Sequence, residues 1–130
     1  MGYWIDIFFR PRLARALWIK WNVEAESNIV YSVNPFGVLG ANRHFCQQTG
    51  YTLKELKTID LDNILVEEDK EFTYKDIEEV INMGWYGVRY FQNRWKHGKT
   101  GENIIMKWQT VKVGDEFFIC HTNIEPENLR

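Results

Sequence analysis

Three long runs close the chain, and two turns separate them. Tyr86 to Lys96, Asn103 to Val113 and Glu116 to Ile124 read as strands, and His97-Gly98-Lys99-Thr100-Gly101 and Gly114-Asp115 supply the residues that reverse direction. Strands joined this tightly return antiparallel, because a parallel crossover needs roughly a dozen residues or more. Side chains alternate across a strand, so one face of such a meander has to be covered. In the last run Phe117, Ile119 and His121 share one face and Phe118, Cys120 and Thr122 the other. Trp108 falls on a face with Ile104 and Met106, a core pattern.

The preceding segment supplies two more strands and a helical cover. Ile29, Tyr31 and Val33 alternate with more polar positions, Asn34-Pro35-Phe36-Gly37 is a turn, and Val38 to Ala41 resumes as the second arm of a hairpin. Asn42 stands where a helix cap is needed, Phe45 and Thr49 follow on one face, and Gly50 suits a left-handed stop. Thr52 with Glu55 makes a capping box for a second short helix. The acidic run Glu67-Glu68-Asp69 suits the start of a longer helix over 70–83, with Phe72, Ile77, Val80 and Ile81 as its apolar stripe and Gly84 as its stop. The order predicts an α+β fold: a five-stranded antiparallel sheet with small helices on one face.

The N-terminal residues differ from the rest. Tyr3 to Phe9 is apolar apart from Asp6, but Arg10, Arg12 and Arg15 follow at once, so no run approaches the ~20 apolar residues of a membrane span. Charge follows the apolar stretch rather than preceding it, which argues against a secretory signal. Leu13, Leu17 and Trp21 recur every fourth position, so residues 11–26 read as an amphipathic helix with Pro11 in its first turn. Such a helix packs on the domain or on a second copy, or lies on an anionic membrane surface; homodimerisation through it is the preferred expectation. The division is then a flanking helix at 1–27, a domain at 28–125 and a tail at 126–130.

Composition narrows the function classes. The 130 residues, 45% apolar and 15% aromatic, suit one domain, which buries roughly two-thirds of its unfolded surface. A net charge of −2 gives no overall field for a polyanion. Cys46 and Cys120 form neither a metal pattern nor a disulfide framework, which fits a cytoplasmic protein.

Four segments in this order carry a resemblance over about residues 28–125. NRHFCQQTGYTLKEL at 42–56, VEEDKEF at 66–72, RWKHGKTGE at 94–102 and HTNIE at 121–125 resemble, in register, the corresponding segments of the PAS domain family of sensory and signalling modules. Asn123 and Glu125 depart from that family's closing Asp and Thr, which in its members help couple the core to an output helix. No kinase, cyclase or DNA-binding segment follows within the 130 residues, so output is expected through a dimer or partner, or through a segment outside this chain.

The resemblance implies a pocket between the small helices and the inner sheet face. Phe45, Trp85, Trp108 and His121 are its candidate lining residues, His121 standing where flavin-binding light sensors of the family carry a Gln. His121 is either a ligand contact or a core histidine. Trp85-Tyr86-Gly87 with Asn93-Arg94 resembles the pattern of redox-sensing, FAD-binding members at wider spacing, so FAD and FMN are cofactor candidates. A photochemical cysteine adduct is excluded, since Cys46 comes too early in the chain, and haem lacks an axial His on the longer helix, His44 being expected to face solvent. No phosphate loop, paired His-Glu metal spacing or nucleophile elbow points to an enzyme.

Three readings follow. One is a small-molecule or cofactor sensor, another is a ligand-free protein-interaction or dimerisation module. The third and weakest is a nucleic-acid surface built on Tyr90, Phe91 and Trp95 beside Arg89, Arg94 and Lys96.

Overall fold

Five antiparallel strands form one sheet in the order β2-β1-β5-β4-β3. In chain order the elements are β1 Ser27–Val33, β2 Phe36–Ala41, α1 Arg43–Thr49, α2 Leu53–Thr58, α3 Leu61–Ile64, a 3-10 turn at Glu67–Asp69, α4 Lys70–Ile81, β3 Val88–Lys96, β4 Asn103–Val113 and β5 Phe117–Pro126. The computed structural model describes residues 26–33, 36–82, 88–113 and 117–127. The expected N-terminal helix, Trp85, the Gly84 stop and the Gly114-Asp115 turn lie outside the described residues.

The expected meander is present, with Trp108 paired to Phe91 on one side and Thr122 on the other. β1 then pairs with β5, placing Asn28 beside His121 and Ile29 beside Cys120. The hairpin β1–β2 slips register between Val30 and Tyr31, a bulge that twists the strand locally.

The short helices begin and end where local chemistry requires. Asn42 caps α1 by accepting from the Phe45 N–H, and Gly50 closes it at φ 79°. Thr52 and Glu55 form the expected reciprocal box on α2. The acidic run acts differently from the expectation. Glu67–Asp69 is a separate 3-10 turn, and the Asp69 side chain makes no capping bond to α4. It turns instead to β3, where its two oxygens accept from Arg94 at 2.9 and 3.1 Å. A buried carboxylate gains more from a two-pronged guanidinium than from one backbone amide.

The core lies between the helices and one sheet face. Phe45, Leu56, Ile64 and Val80 from the helices pack with Ile29, Tyr31, Trp95, Met106, Trp108, Phe118 and Cys120 from the strands. Phe72, expected in the buried stripe of α4, is 42% exposed and rests edge-on against Phe91. The opposite sheet face is also apolar near its centre: Val30, Phe117 and Ile119 are each at most 2% exposed.

Candidate functional site

Four strands and α4 line a half-open cavity of about 70 Å³ on the core side of the sheet. Tyr31 enters from β1; Phe91, Asn93 and Trp95 from β3; Trp108 and Thr110 from β4; Phe118 and Cys120 from β5. Thr73, Asp76, Ile77 and Val80 close it from α4, with Phe36 and Leu61 at its margin. Strand alternation explains the set, because residues two apart on β3, β4 and β5 project together.

Aromatic rings wall one end. Trp95 stands edge-on to Phe45, with ring centroids 5.8 Å apart, and tilted against Trp108 at 5.5 Å. Tyr51 and Tyr31 extend the group, the first against Trp95 and the second against Trp108. Offset and edge contacts of this kind contribute beyond area alone, about 0.5–1.5 kcal/mol each. The Tyr51 hydroxyl donates to the Lys96 carbonyl at 2.6 Å, so its polar end is satisfied outside the ring cluster.

The polar groups of the wall are nearly all paired. The Trp108 indole N–H donates to Asn93 Oδ1 at 2.7 Å, and Asn93 Nδ2 donates to Thr73 Oγ1 at 3.3 Å, tying β4 through β3 to α4. Burial raises the Asp76 carboxyl above the usual range, and the pair with Arg89, 2.6 Å away, opposes that rise. Desolvation raises the Tyr31 phenol well above its ordinary value and pushes the Cys120 thiol up to about 12. Both stay neutral at physiological pH. Trp95, only 1% exposed, carries an indole N–H that no acceptor among the described residues reaches. An unpaired buried donor of this kind costs about 1–3 kcal/mol.

No family model matches the chain and no curated protein matches it. Solved structures do. The PAS domain of an HTR-like protein from Haloarcula marismortui superposes with a TM-score of 0.63 at 13% identity, over 87% of this chain and 92% of that one. The Rhodobacter sphaeroides LOV protein gives 0.66 at 13% identity, over 88% and 68% respectively. The LOV domain of the Erythrobacter litoralis EL346 blue-light activated histidine kinase gives 0.62 at 14% identity, over 78% and 97%. The chain has the PAS fold.

Within this PAS fold the four expected site residues do not form one set. Phe45 and Trp108 meet, their centroids 6.1 Å apart, and Trp108 borders the cavity. Trp85 lies outside the described residues. His121 is placed on the sheet face turned away from the cavity, where its Nδ1 lies 3.2 Å from Asn28 Oδ1 and 3.6 Å from Glu26. Parity separates His121 from Cys120 correctly, but cannot tell which of two apolar faces turns inward. His44, expected in solvent, is half-buried with Nδ1 2.6 Å from Ser27 Oγ. Cys46 is buried as expected, its thiol pushed up to about 11 by desolvation.

Trp95 and Asn93 are the site residues that composition alone conceals. Their signal is the alternation of Phe91, Asn93 and Trp95 against exposed Tyr90 on the same strand. That alternation also dissolves the nucleic-acid surface. Phe91 and Trp95 turn inward, Arg89 pairs with Asp76 and Glu79, and Arg94 pairs with Asp69 and Glu127. Salt-bridged guanidiniums present little free charge to a phosphate backbone.

The cavity, at about 70 Å³, is small for a flavin without rearrangement of its wall. Pockets for ligands of that size run roughly 300–1,000 Å³, and the ring cluster of Phe45, Trp95 and Trp108 occupies the space beside it. Among the described residues no cluster of His, Cys, Asp or Glu could hold a metal ion, and no helix is long and apolar enough to cross a membrane.

Proposed function

We propose that this chain is a sensory or signalling module of PAS type, in which occupancy of the core cavity by a small molecule biases a surface read by a partner or a second copy. The observation that carries this reading is the cavity itself. Its wall joins β1, β3, β4, β5 and α4, so filling it changes how the helical layer seats on the sheet. Solved PAS and LOV structures, one from a histidine kinase, share the fold and support the signalling class. The reading assigns no catalytic residue and places the module in the cytoplasm, with dimerisation through residues 1–27.

The cavity favours a compact ligand over FAD or FMN, either of which needs Trp95 and Trp108 to repack. Absorption of the purified protein between 300 and 500 nm, roughly the flavin range, followed by analysis of what denaturation releases, tests this directly. The expected outcome is no flavin band. A bound flavin overturns the compact-ligand reading and directs attention to the aromatic cluster.

The ring cluster also supports a second reading, a ligand-free interaction module whose core is filled by its own side chains. The two differ in one measurable respect, since a ligand-free module shows no saturable response of cavity residues to any small molecule.

A further inference from the structure

Two side chains of the cavity wall carry a polar atom without a partner among the described residues, and the two atoms differ in access. The Trp95 indole nitrogen is sealed from water. The Tyr31 hydroxyl has no hydrogen bond either, yet its oxygen is not one of the partnerless atoms that water cannot reach. Tyr31 is 9% exposed and lines the cavity, its ring stacked on Phe36 at 5.0 Å and edge-on to Trp108 at 6.3 Å. The open space that its oxygen meets is therefore the cavity. Tyr31 also follows directly on the register slip of β1, a device that re-aims a side chain.

The other polar groups of the wall that have partners find them within the protein. Trp108, Asn93 and Thr73 form a chain, Asp76 pairs with Arg89, and Thr110 Oγ1 lies 3.4 Å from Cys120 Sγ. Whatever fills the cavity takes water away from the Tyr31 oxygen and has to replace its hydrogen bond. A phenol does this best as a donor to an oxygen acceptor. A charged group drawn in to it would lose hydration and find no Lys or Arg in the lining. The volume, about 70 Å³, admits on the order of five non-hydrogen atoms.

We propose that the Tyr31 hydroxyl is the polar handle of the cavity, donating to the oxygen of a compact, uncharged, otherwise apolar ligand and so setting its orientation. This rests on the reading of the cavity as a ligand site and adds the chemistry of the ligand. Phe91, Trp108 and Phe118 from the strands and Ile77 and Val80 from α4 then pack the apolar body. A hydrocarbon of the same shape leaves the hydroxyl unpaired, and a carboxylate meets no cation. The handle stands on β1, the strand that continues directly from residues 1–26. An occupant held by Tyr31 and packed on α4 thus engages the helical layer and the strand nearest the proposed dimer segment together.

Tyr31→Phe removes the hydroxyl and keeps the ring, so it separates binding from folding. The full chain and this variant, labelled with ¹³C at the Ile and Val methyls, are titrated with butanone, isopentane and acetate. Butanone is expected to shift the Ile77 and Val80 methyls saturably, and about tenfold more weakly in Tyr31→Phe. Isopentane should not distinguish the two proteins, and acetate should bind neither. The variant should melt no lower than the parent, because the hydroxyl it lacks was unpaired. Equal affinity of parent and variant for butanone overturns the role of the hydroxyl while the ligand site stands, and acetate binding as tightly as butanone overturns the uncharged class. A variant that melts several degrees lower overturns the proposal as well, since the hydroxyl then serves the fold. If none of the three moves the Ile77 or Val80 methyls, the ligand reading itself falls and the interaction module replaces it.

Discussion

Asn42 shows how much a single side chain can connect. Its Oδ1 accepts from the Phe45 and Asn28 N–H groups, both at 3.0 Å, and its Nδ2 donates to the Glu26 carbonyl at 2.6 Å. The cap was legible because capping depends on neighbours in sequence; the bonds to Glu26 and Asn28 were not, because they need β1 alongside α1. Asn42→Ala leaves buried backbone groups unpaired and should lower stability by about 1–3 kcal/mol in a urea melt. His121 makes the opposite point. Since it faces away from the cavity, His121→Ala should leave cavity binding within about twofold of the parent while lowering stability by about 0.5–1.5 kcal/mol. A selective loss of binding would return His121 to the site. Burial holds the Cys46 and Cys120 thiols at about 11 and 12, so neither should react with a thiol reagent at pH 8 until the protein is denatured.

At the scale of elements, β3 is the strand on which the helical layer is fastened. Arg94 reaches Asp69 before α4 and Glu127 after β5, and the Val66 N–H bonds the Arg94 carbonyl at 3.1 Å. The hairpin after β3 docks on the end of α1, the Gly98 N–H donating to Thr49 at 2.8 Å. A side chain at Gly98 would meet the Gly50 carbonyl at 2.5 Å and the Tyr51 ring at 2.8 Å. Gly98→Ala therefore forces the hairpin away from α1 and should cost about 1–3 kcal/mol, read as a lowered melting temperature. The Lys-Gly turn was visible in sequence, but the reason for its glycine lies forty-eight residues earlier, at Gly50. Arg94 and Asn103 also hold the Glu127 carboxyl below its usual range. Such a group stabilises the fold above its unfolded value near 4.5 and loses that contribution as pH falls through the lower folded value. Melting temperature should decline with acid in that window, and Glu127→Gln should flatten the decline.

For the whole molecule, the sheet carries apolar side chains on both faces. The core face is taken by the helices and the cavity; on the other, Val30, Phe117 and Ile119 are buried as well. The proposed dimer contact belongs at this scale. Deleting residues 1–25 should convert a dimer to a monomer by light scattering, and a dimer that persists would move the interface onto the described domain.

What the sequence determined by itself was everything governed by near neighbours: the antiparallel meander, the hairpin before it, the caps at Asn42 and Thr52, and the α+β order that these impose. Only the tertiary structure decided which face of β5 turns inward, that Asp69 and Asp76 pair with strand arginines, and that Trp95 borders the cavity with an unpaired donor. The division has a physical cause. Turns and caps are settled within a few residues by backbone geometry and hydrogen bonding. A site is settled by which distant side chains compete for the same enclosed space, and that competition exists only once sheet and helices have closed around it.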